Sequence, residues 1–317
     1  MKSYSLGLHI INPLAGNLYL HVEIWTMGKI IVSANCQTAA LTSALRALLP
    51  NFDVIPFPMH INLSEDRRNQ LKLELSDAEF LLAVNHESEI FNLQSNKSIT
   101  VIPVPHLHFD AFHPDICYAV NSVTNQYTNF HYNSRIAVWS YNQNVSIELA
   151  STLFNQDSYH ALGYLARWYQ SENFLLESFA SCGFSKSEFL SFFQSIKRGG
   201  VFMFSINHPM AFVSVELARL IVKKHFPDAL YHDRELIVED PLTESIWPLY
   251  SEIGEELGLE GNYIWRIRNQ EIAGLIDYLN FTFTSYQEQM IKPGQLIMNN
   301  AKDPEFHDLM TKLVNTT

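Results

Sequence analysis

The sequence is short of cysteine and of basic residues, and each shortage argues against a class of protein. The three cysteines, Cys36, Cys117 and Cys182, are an odd number without paired zinc spacing, so neither a disulfide framework nor a structural zinc site is indicated. A total of 21 Lys and Arg residues stands against 33 Asp and Glu residues, and the formal net charge is −12. An excess of acidic residues argues against nucleic acid as the main partner, because binding to phosphates requires clustered basic residues.

The chain also lacks a basic start followed by an apolar core, and it lacks apolar runs long enough to cross a bilayer. We therefore expect no signal peptide, no transmembrane segment and a cytoplasmic protein in a reducing compartment. No segment is of low complexity, and the hydrophobic share of 47% is typical of a globular chain.

Strand-like and helix-like segments alternate over the first third of the chain. Short apolar runs predict strands near residues 29–33, 52–57, 78–85 and 99–104, with helices between them at 38–49 and 64–75. This alternation predicts a parallel sheet of βαβ units. Beyond residue 105, apolar residues recur at the helical period over 145–154, 157–182, 185–198, 209–226, 246–257 and 271–290.

The predicted fold class is therefore α/β, with a small parallel-sheet, Rossmann-like subdomain embedded in a predominantly helical fold. Residues 29–117 form the expected α/β subdomain, 118–317 form a mainly helical part that completes the site, and 1–28 form an extension packed on the core. Within the helical part, the apolar run 199–206 predicts a core segment that delivers Asn207 and His208 to a site.

Cys36 stands at the predicted turn between the first strand and the first helix. In open α/β sheets, turns at the carboxyl ends of parallel strands face the crevice where ligands bind. The nearby helix amino terminus would favour a thiolate. Asn35 and Gln37 flank the cysteine, and their amides are costly on a buried turn unless they meet a ligand or the backbone. The alternative is a small buried hydrophobe beneath the helix, as most free cysteines are.

The segment 106–115 follows the last predicted strand and is dense in chemically active side chains. In one hypothesis, His113 activates Cys36 or a substrate hydroxyl, and Asp115 or Asp110 orients the imidazole. In a second hypothesis, a metal is bound by several ligands of this segment, namely His106 and His108 with Asp110 or His113. In a third, the histidines only satisfy buried backbone groups around a proline-rich turn.

Two further segments carry candidate binding residues. Asn207 and His208 precede Pro209, where a helix amino-terminal cap and a site contact are both compatible with the pattern. Ser134 and Arg135 precede an apolar run, and Arg135 would hold an anion or lie in a solvated loop.

Three short motifs together are more specific than any one of them. They are Asn-Cys-Gln at a strand-to-helix turn, Phe-His-Pro-Asp at 112–115 and Asn-His-Pro at 207–209. In their order and spacing the sequence resembles the WcbI family of capsular polysaccharide biosynthesis proteins, from about residue 29 to about residue 290. Three positions depart from the family pattern: Ala111 stands where Gly is expected, and Asn133 and Phe204 stand where the pattern has His.

The resemblance implies a coenzyme A-binding acetyltransferase that O-acetylates a sugar of a surface polysaccharide. It places the family's cysteine at Cys36 and its histidine and aspartate at His113 and Asp115. The expected partners are a small-molecule acyl donor and a sugar or polysaccharide acceptor, without nucleic acid and without a bound metal.

We expect His113 to act as general base with Asp115 orienting it. Backbone N–H groups at Cys36 and Gln37, with the Asn35 side chain, would form the oxyanion site. The candidate cations for the cofactor's phosphates are Arg135, Lys197, Arg198, Arg266 and Arg268. Direct transfer and an acyl-cysteine route both remain open. The alternatives in other classes are a Cys- or metal-dependent esterase or thioesterase, and a non-catalytic coenzyme A- or carbohydrate-binding protein.

Overall fold

A four-stranded parallel sheet organises the amino-terminal half of the structure. The computed structural model describes residues 28–58, 64–84, 99–227, 236, 238–298 and 304–316, and the predicted extension at 1–28 lies almost wholly outside these ranges. The strands are β1 (Lys29–Ser33), β2 (Asp53–Pro56), β3 (Phe80–Val84) and β4 (Thr100–Val104). They run in the order β2-β1-β3-β4, and every neighbouring pair is parallel. The predicted βαβ sheet is confirmed.

Helices cover both faces of this sheet. The helix α1 (Thr38–Leu48) follows β1, and α2 (Glu65–Ser76) follows β2 with Ser64 as its amino-terminal cap. Successive strand residues point to opposite faces. Ile30 and Val32 accordingly belong to the core cluster that holds Leu45 of α1, whereas Ile31 belongs to the cluster that holds Leu71 of α2.

The strand order creates a switch point between β1 and β3. The chain passes from β1 to β2 on one side, and then returns past β1 to β3 on the other side. Because α1 and α2 therefore lie on opposite faces, a crevice opens at the carboxyl ends of β1 and β3. The turn that carries Cys36 lies at the end of β1, so the topology directs this residue to the crevice.

The second half is mainly helical and packs on the face of the sheet that α1 covers. Its helices are α3 (Arg135–Asn142), α4 (Ile147–Ser151), α5 (Gln156–Ala161), α6 (Trp168–Ser181), α7 (Lys186–Lys197), α8 (Ala211–His225), α9 (Ser251–Leu257), α10 (Leu275–Glu288) and α11 (Pro304–Thr316). One continuous core cluster joins these helices to α1 and to the sheet. The division of the chain at residue 117 stays a prediction.

Within the described ranges, no helix combines the length and the apolar character needed to span a membrane.

Small antiparallel sheets also lie in the second half, and the helical period did not predict them. The paired strands are β5 (Ile116–Cys117) with β8 (Asn133–Ser134), β6 (Ala119–Asn121) with β7 (Gln126–Tyr127) and β11 (Leu296–Met298), and β9 (Ile264–Ile267) with β10 (Gln270–Ala273). Three predicted helices are corrected. The predicted helix 271–290 begins as strand β10 and becomes helical only in α10. The predicted helix 157–182 is divided into α5 and α6, with Gly163 between them, and the predicted helix 246–257 becomes helical only at Ser251.

The connection from α9 to β9 brings two backbone segments into contact at Gly261. A Cβ atom on Gly261 would lie 2.6 Å from the Ser251 Cα atom and 2.7 Å from the Tyr250 carbonyl oxygen. Both of these are main-chain atoms, which cannot rotate away. Only glycine fits this crossing without displacing the start of α9.

We predict that Gly261→Ala destabilises the fold by about 1–3 kcal/mol through overpacking. The matched control is Gly199→Ala, because the nearest atom to its added Cβ is the Phe212 ring at 3.5 Å, an ordinary contact. Urea unfolding of both variants measures the difference. Equal stability of the two variants would contradict the prediction.

Candidate functional site

The residues after β1 form a single 3-10 turn, Asn35–Gln37, that leads into α1. Asn35 has a φ of 49°, in the left-handed region that asparagine tolerates better than most residues. Thr38 locks the turn, because its hydroxyl donates to the Asn35 carbonyl at 2.8 Å and accepts from the Ala34 N–H at 2.9 Å. These contacts hold Cys36 at the carboxyl edge of the sheet.

Cys36 is partly exposed, whereas the two other cysteines are buried. Its Sγ lies 3.4 Å from Asn35 Oδ1 and 3.9 Å from the Asn207 carbonyl oxygen. Burial raises the pKa of the Cys182 thiol to about 11, and it also raises the pKa of Cys117. Cys36 is therefore the cysteine that a solvent-borne reagent or substrate reaches.

A cavity of about 360 Å³ opens beside the turn. Asn35, Cys36, Thr38, Ala39, Thr42, Ser43, Arg46, Pro56 and Pro58 line it. Arg46 is the cation in this lining, and its Nε donates to the Val54 carbonyl at 2.8 Å. The cavity thus combines a thiol, a primary amide and a guanidinium group.

Gln37 joins the turn to two distant segments. Its side chain is 2% exposed, and its Nε2 donates to the Leu107 carbonyl at 2.9 Å and to the Asn207 carbonyl at 3.2 Å. The Gln37 backbone N–H already donates to the Ala34 carbonyl and to Asn35 Oδ1. This occupancy corrects the expectation of an open oxyanion donor at Gln37. Asn35 Nδ2, in contrast, has no hydrogen-bond partner among the described residues.

Asn207 lies against the cysteine turn, and its side chain connects two tyrosines. The Tyr132 hydroxyl donates to Asn207 Oδ1 at 2.5 Å, and Asn207 Nδ2 donates to the Tyr118 hydroxyl at 3.3 Å. The His208 ring packs edge-on against Tyr132 at 5.4 Å. Burial lowers the pKa of His208 to about 4, and its Nδ1 has no partner among the described residues.

The alternative in which Asn207 caps α8 is wrong. The residue before α8 is Met210, and the first helical N–H, that of Ala211, donates to Asp240 Oδ2 at 2.9 Å. The predicted delivery of Asn207 to the Cys36 turn agrees with the hydrogen bond from Gln37 and with the contact of Cys36 Sγ. The segment that delivers it forms a bridge between Met203 and Pro209 and no strand.

His113 is 2% exposed, and both ring nitrogens face main-chain carbonyl groups. Nδ1 lies 3.2 Å from the Pro248 oxygen, and Nε2 lies 3.2 Å from the Met203 oxygen. Burial is the largest influence and lowers the pKa of His113 to about 4, so the ring is neutral at pH 7. In this conformation neither nitrogen is available to take a proton from a substrate hydroxyl.

Asp115 is fully buried and does not orient His113. Its carboxylate accepts from the hydroxyls of Tyr164 and Tyr250, each at 2.9 Å, and from the Ile136 N–H at 3.2 Å. Desolvation raises the pKa of Asp115 to about 6, against the opposing effect of these donors. The expected pairing of Asp115 with His113 is thus corrected. Asp115 instead connects the amino terminus of α3 to Tyr164, which lies between α5 and α6, and to Tyr250, which precedes α9.

The segment 106–110 does not assemble the metal site of the second hypothesis. Asp110 is held by Arg167 in an ion pair of 2.6 Å and by the Ser171 hydroxyl at 2.5 Å. The rings of His106 and His108 lie 6.0 Å apart, and the His108 ring packs edge-on against another aromatic ring. Among the described residues, no group of three or more His, Cys, Asp and Glu is arranged to hold a metal ion.

The predicted binding residues Ser134, Arg135 and Arg198 have other neighbours. Ser134 caps α3 by accepting from the Ala137 N–H at 3.0 Å. The Arg135 guanidinium lies 4.1 Å over the Phe306 ring, and Arg198 is exposed at the end of α7. None of the three belongs to the lining of the Cys36 cavity. Among the other candidate cations, Arg268 donates to the Asn129 carbonyl.

Sequence reasoning missed three residues of the site: Arg46, Tyr118 and Tyr132. Arg46 follows Cys36 by ten positions, and the polar face of α1 at the cavity would have indicated it. Neither Tyr118 nor Tyr132 stands near Cys36 or Asn207 in the sequence. Their association comes from tertiary packing that no local pattern encodes.

The order β2-β1-β3-β4, with a partly exposed cysteine at its switch point, defines a doubly wound α/β protein with helical additions. A sequence profile described as the polysaccharide biosynthesis enzyme WcbI matches residues 29–225, more than half of the chain. The chain belongs to the WcbI family of polysaccharide biosynthesis enzymes. The resemblance predicted from the three motifs is confirmed.

A solved structure of WcbI, described as a novel polysaccharide biosynthesis enzyme, shares the fold. The TM-score is 0.59 at 13% sequence identity, over 91% of this chain and 97% of the other chain. It is described as the native protein without a disulfide bond between coenzyme A and a cysteine. No curated protein matches the sequence.

We predict that the depressed pKa of buried His113 lowers the free energy of unfolding as the pH falls from about 6.5 towards 4. Its folded-state pKa of about 4 lies below the ordinary value of 6.5, so the unfolded chain binds the proton more readily and gains from acidification. Between pH 7 and pH 5 the free energy of unfolding should decrease by about 2 kcal/mol because of His113.

Urea unfolding at both pH values should therefore show a smaller fall for His113→Gln than for the parent. The matched control is His160→Gln, since His160 is exposed on α5. Identical pH dependence of the parent and His113→Gln would contradict the assignment.

Proposed function

We propose that this protein binds coenzyme A thioesters at the Cys36 cavity and transfers the acyl group to a sugar hydroxyl in surface polysaccharide biosynthesis. The observation that carries the proposal is the partly exposed Cys36 in a 360 Å³ cavity bounded by the cysteine turn, α1 and the end of β2. The family name and the mention of coenzyme A for the solved relative support it. The acyl group that we propose is acetyl.

The proposed reaction exchanges a thioester for an ester. The sugar oxygen bonds to the carbonyl carbon, the bond from that carbon to the coenzyme A sulfur breaks, and the hydroxyl proton ends on the departing sulfur. Asn35 Nδ2 is the amide donor in the cavity lining that would stabilise the developing oxyanion. Arg46 would meet an anionic part of the cofactor.

The test is incubation of the purified protein with acetyl-coenzyme A and candidate sugars, followed by mass spectrometry of the products. We expect an O-acetylated sugar with the parent and loss of at least ~10²-fold in rate with Cys36→Ala, whether the thiol reacts or positions the thioester. Cys182→Ala is the control, because Cys182 is buried. Release of free acetate without an acetylated sugar would indicate an esterase or thioesterase, and binding without turnover would indicate a non-catalytic protein.

The same assay tests His113. Because both ring nitrogens face carbonyl groups, we expect His113→Gln to retain transfer per folded molecule. A general base would instead show a loss of about 10²–10⁴-fold. That result would mean that His113 leaves its carbonyl partners during the reaction.

We predict that Arg46→Ala weakens coenzyme A binding about tenfold, which is about 1.4 kcal/mol. Its guanidinium is the positive group in the cavity lining. Isothermal titration calorimetry measures the dissociation constant, with Arg198→Ala as the control from the exposed end of α7. A larger effect at Arg198 than at Arg46 would place the cofactor elsewhere.

A further inference from the structure

Gln37 fixes two oxygen atoms that face the Cys36 sulfur. Its backbone N–H donates to Asn35 Oδ1 at 3.1 Å, and its side-chain Nε2 donates to the Asn207 carbonyl at 3.2 Å. The Cys36 sulfur lies 3.4 Å from the first oxygen and 3.9 Å from the second. A further hydrogen bond from Nε2 to the Leu107 carbonyl, at 2.9 Å, holds the buried Gln37 amide in place.

The hydrogen bond from the Gln37 backbone also determines which end of the Asn35 amide faces the sulfur. A backbone N–H can only donate, so the atom that it meets is the amide oxygen, and that oxygen can only accept. The Cys36 thiol therefore donates to Asn35 Oδ1, with the Asn207 carbonyl as a second, longer contact. A thiolate at this position would have no proton to donate and would face the negative ends of two carbonyl dipoles.

These two oxygens favour the neutral thiol, because hydrogen bonds made by the neutral form of a group disfavour its charged form. The amino terminus of α1 acts in the opposite direction, and its dipole is worth about two- to fivefold in the ratio of thiolate to thiol. A thiolate that meets acceptors where water would supply donors loses at least about tenfold in the same ratio. The two oxygens therefore outweigh the dipole.

The neighbouring titratable groups among the described residues do not reverse this balance. Burial raises the pKa of the Tyr118 and Tyr132 phenols and lowers the pKa of His208 to about 4, so these three groups are uncharged at pH 7. Arg46, the cation of the cavity lining, follows Cys36 by ten residues, which is about 15 Å along a helix.

We propose that Asn35 and Gln37 are positioning residues that hold Cys36 as a neutral thiol, and that Cys36 does not carry the acyl group. A neutral thiol is a weak nucleophile, and both ring nitrogens of His113 face carbonyl groups, so His113 does not take the thiol proton. In the transfer reaction, on which this consequence rests, the sugar oxygen bonds directly to the acyl carbon. The bond from that carbon to the coenzyme A sulfur breaks, and the hydroxyl proton goes to the departing sulfur. The direct route thus replaces the acyl-cysteine route.

The test measures the rate at which iodoacetamide labels Cys36 as a function of pH. The thiolate is the form that reacts, and the other two cysteines are buried, so labelling reports on the protonation of Cys36. We expect the midpoint of the parent's profile to lie above about 8.5, the ordinary value for cysteine.

Two variants of Asn35 change the surroundings of the sulfur in opposite directions. Asn35→Gly removes the acceptor and keeps the φ of 49°, which glycine adopts readily. Asn35→Asp keeps the shape and places a full negative charge beside the sulfur. We expect labelling at pH 7 to be about three- to tenfold faster in Asn35→Gly and slower by a similar factor in Asn35→Asp.

Asn144→Gly is the matched control and should leave labelling unchanged. Asn144 also has a left-handed φ, of 56°, and it is exposed just beyond the end of α3, outside the cavity lining. A parent midpoint below about 8.5 overturns the inference. A change in the same direction in both Asn35 variants also overturns it, because a merely structural role of Asn35 gives no dependence on charge. Thermal unfolding checks that each variant folds, and if Asn35→Gly does not fold, the parent and Asn35→Asp profiles decide.

Initial rates of acetyl transfer, with both substrates varied, test the direct route separately. We expect intersecting double-reciprocal lines, whereas parallel lines would show the ping-pong kinetics of an acyl-enzyme and overturn the direct route. If the parent transfers no acetyl group, the proposed function fails, and the labelling profiles still decide whether Asn35 and Gln37 hold a neutral thiol.

Discussion

The reversal of strand order between β1 and β3 is the constraint on which the site depends. It places α1 and α2 on opposite faces and opens a crevice at the carboxyl end of β1, where the 3-10 turn lies. The buried Gln37 amide then connects this turn to the backbone of Leu107 and Asn207. A local turn is thus made rigid by hydrogen bonds to segments far away in the chain.

A second buried group, Asp115, has the corresponding role in the helical half. Its carboxylate accepts hydrogen bonds from two tyrosine hydroxyls and a helix N–H. Two residues earlier in the chain, the ring nitrogens of His113 each lie against a main-chain carbonyl oxygen. The Phe-His-Pro-Asp motif therefore acts through packing and hydrogen bonding in the described conformation. A motif that looks catalytic in the sequence can owe its residue types to the needs of buried backbone groups.

The sequence predicted the parallel sheet and the cysteine turn because both depend on local patterns. Apolar runs marked the four strands, and Pro50 marked the end of α1. Prediction from the sequence failed where strands or side chains that are far apart in the chain come into contact. Residues 270–273 satisfy a helical period but pair with β9, and Tyr118 meets Asn207 only through the folding of the second half. Within the site, Cys36, Asn35 and Asn207 were predictable, whereas Arg46 and the two tyrosines were not.

Among the residues that the structure describes, the two faces of the parallel sheet belong to core clusters of very different size. On one face α1 belongs to a core cluster that reaches α8 and the other helices, whereas on the other face α2 buries Leu71 and Leu75 against a small cluster. Burial of two leucines gives α2 few contacts that resist local unfolding. Detachment of α2 would uncover Ile31 and Leu81 while the rest of the core stays intact. Within the described part of the chain, the α2 face is therefore where local unfolding would disrupt the fewest buried apolar contacts.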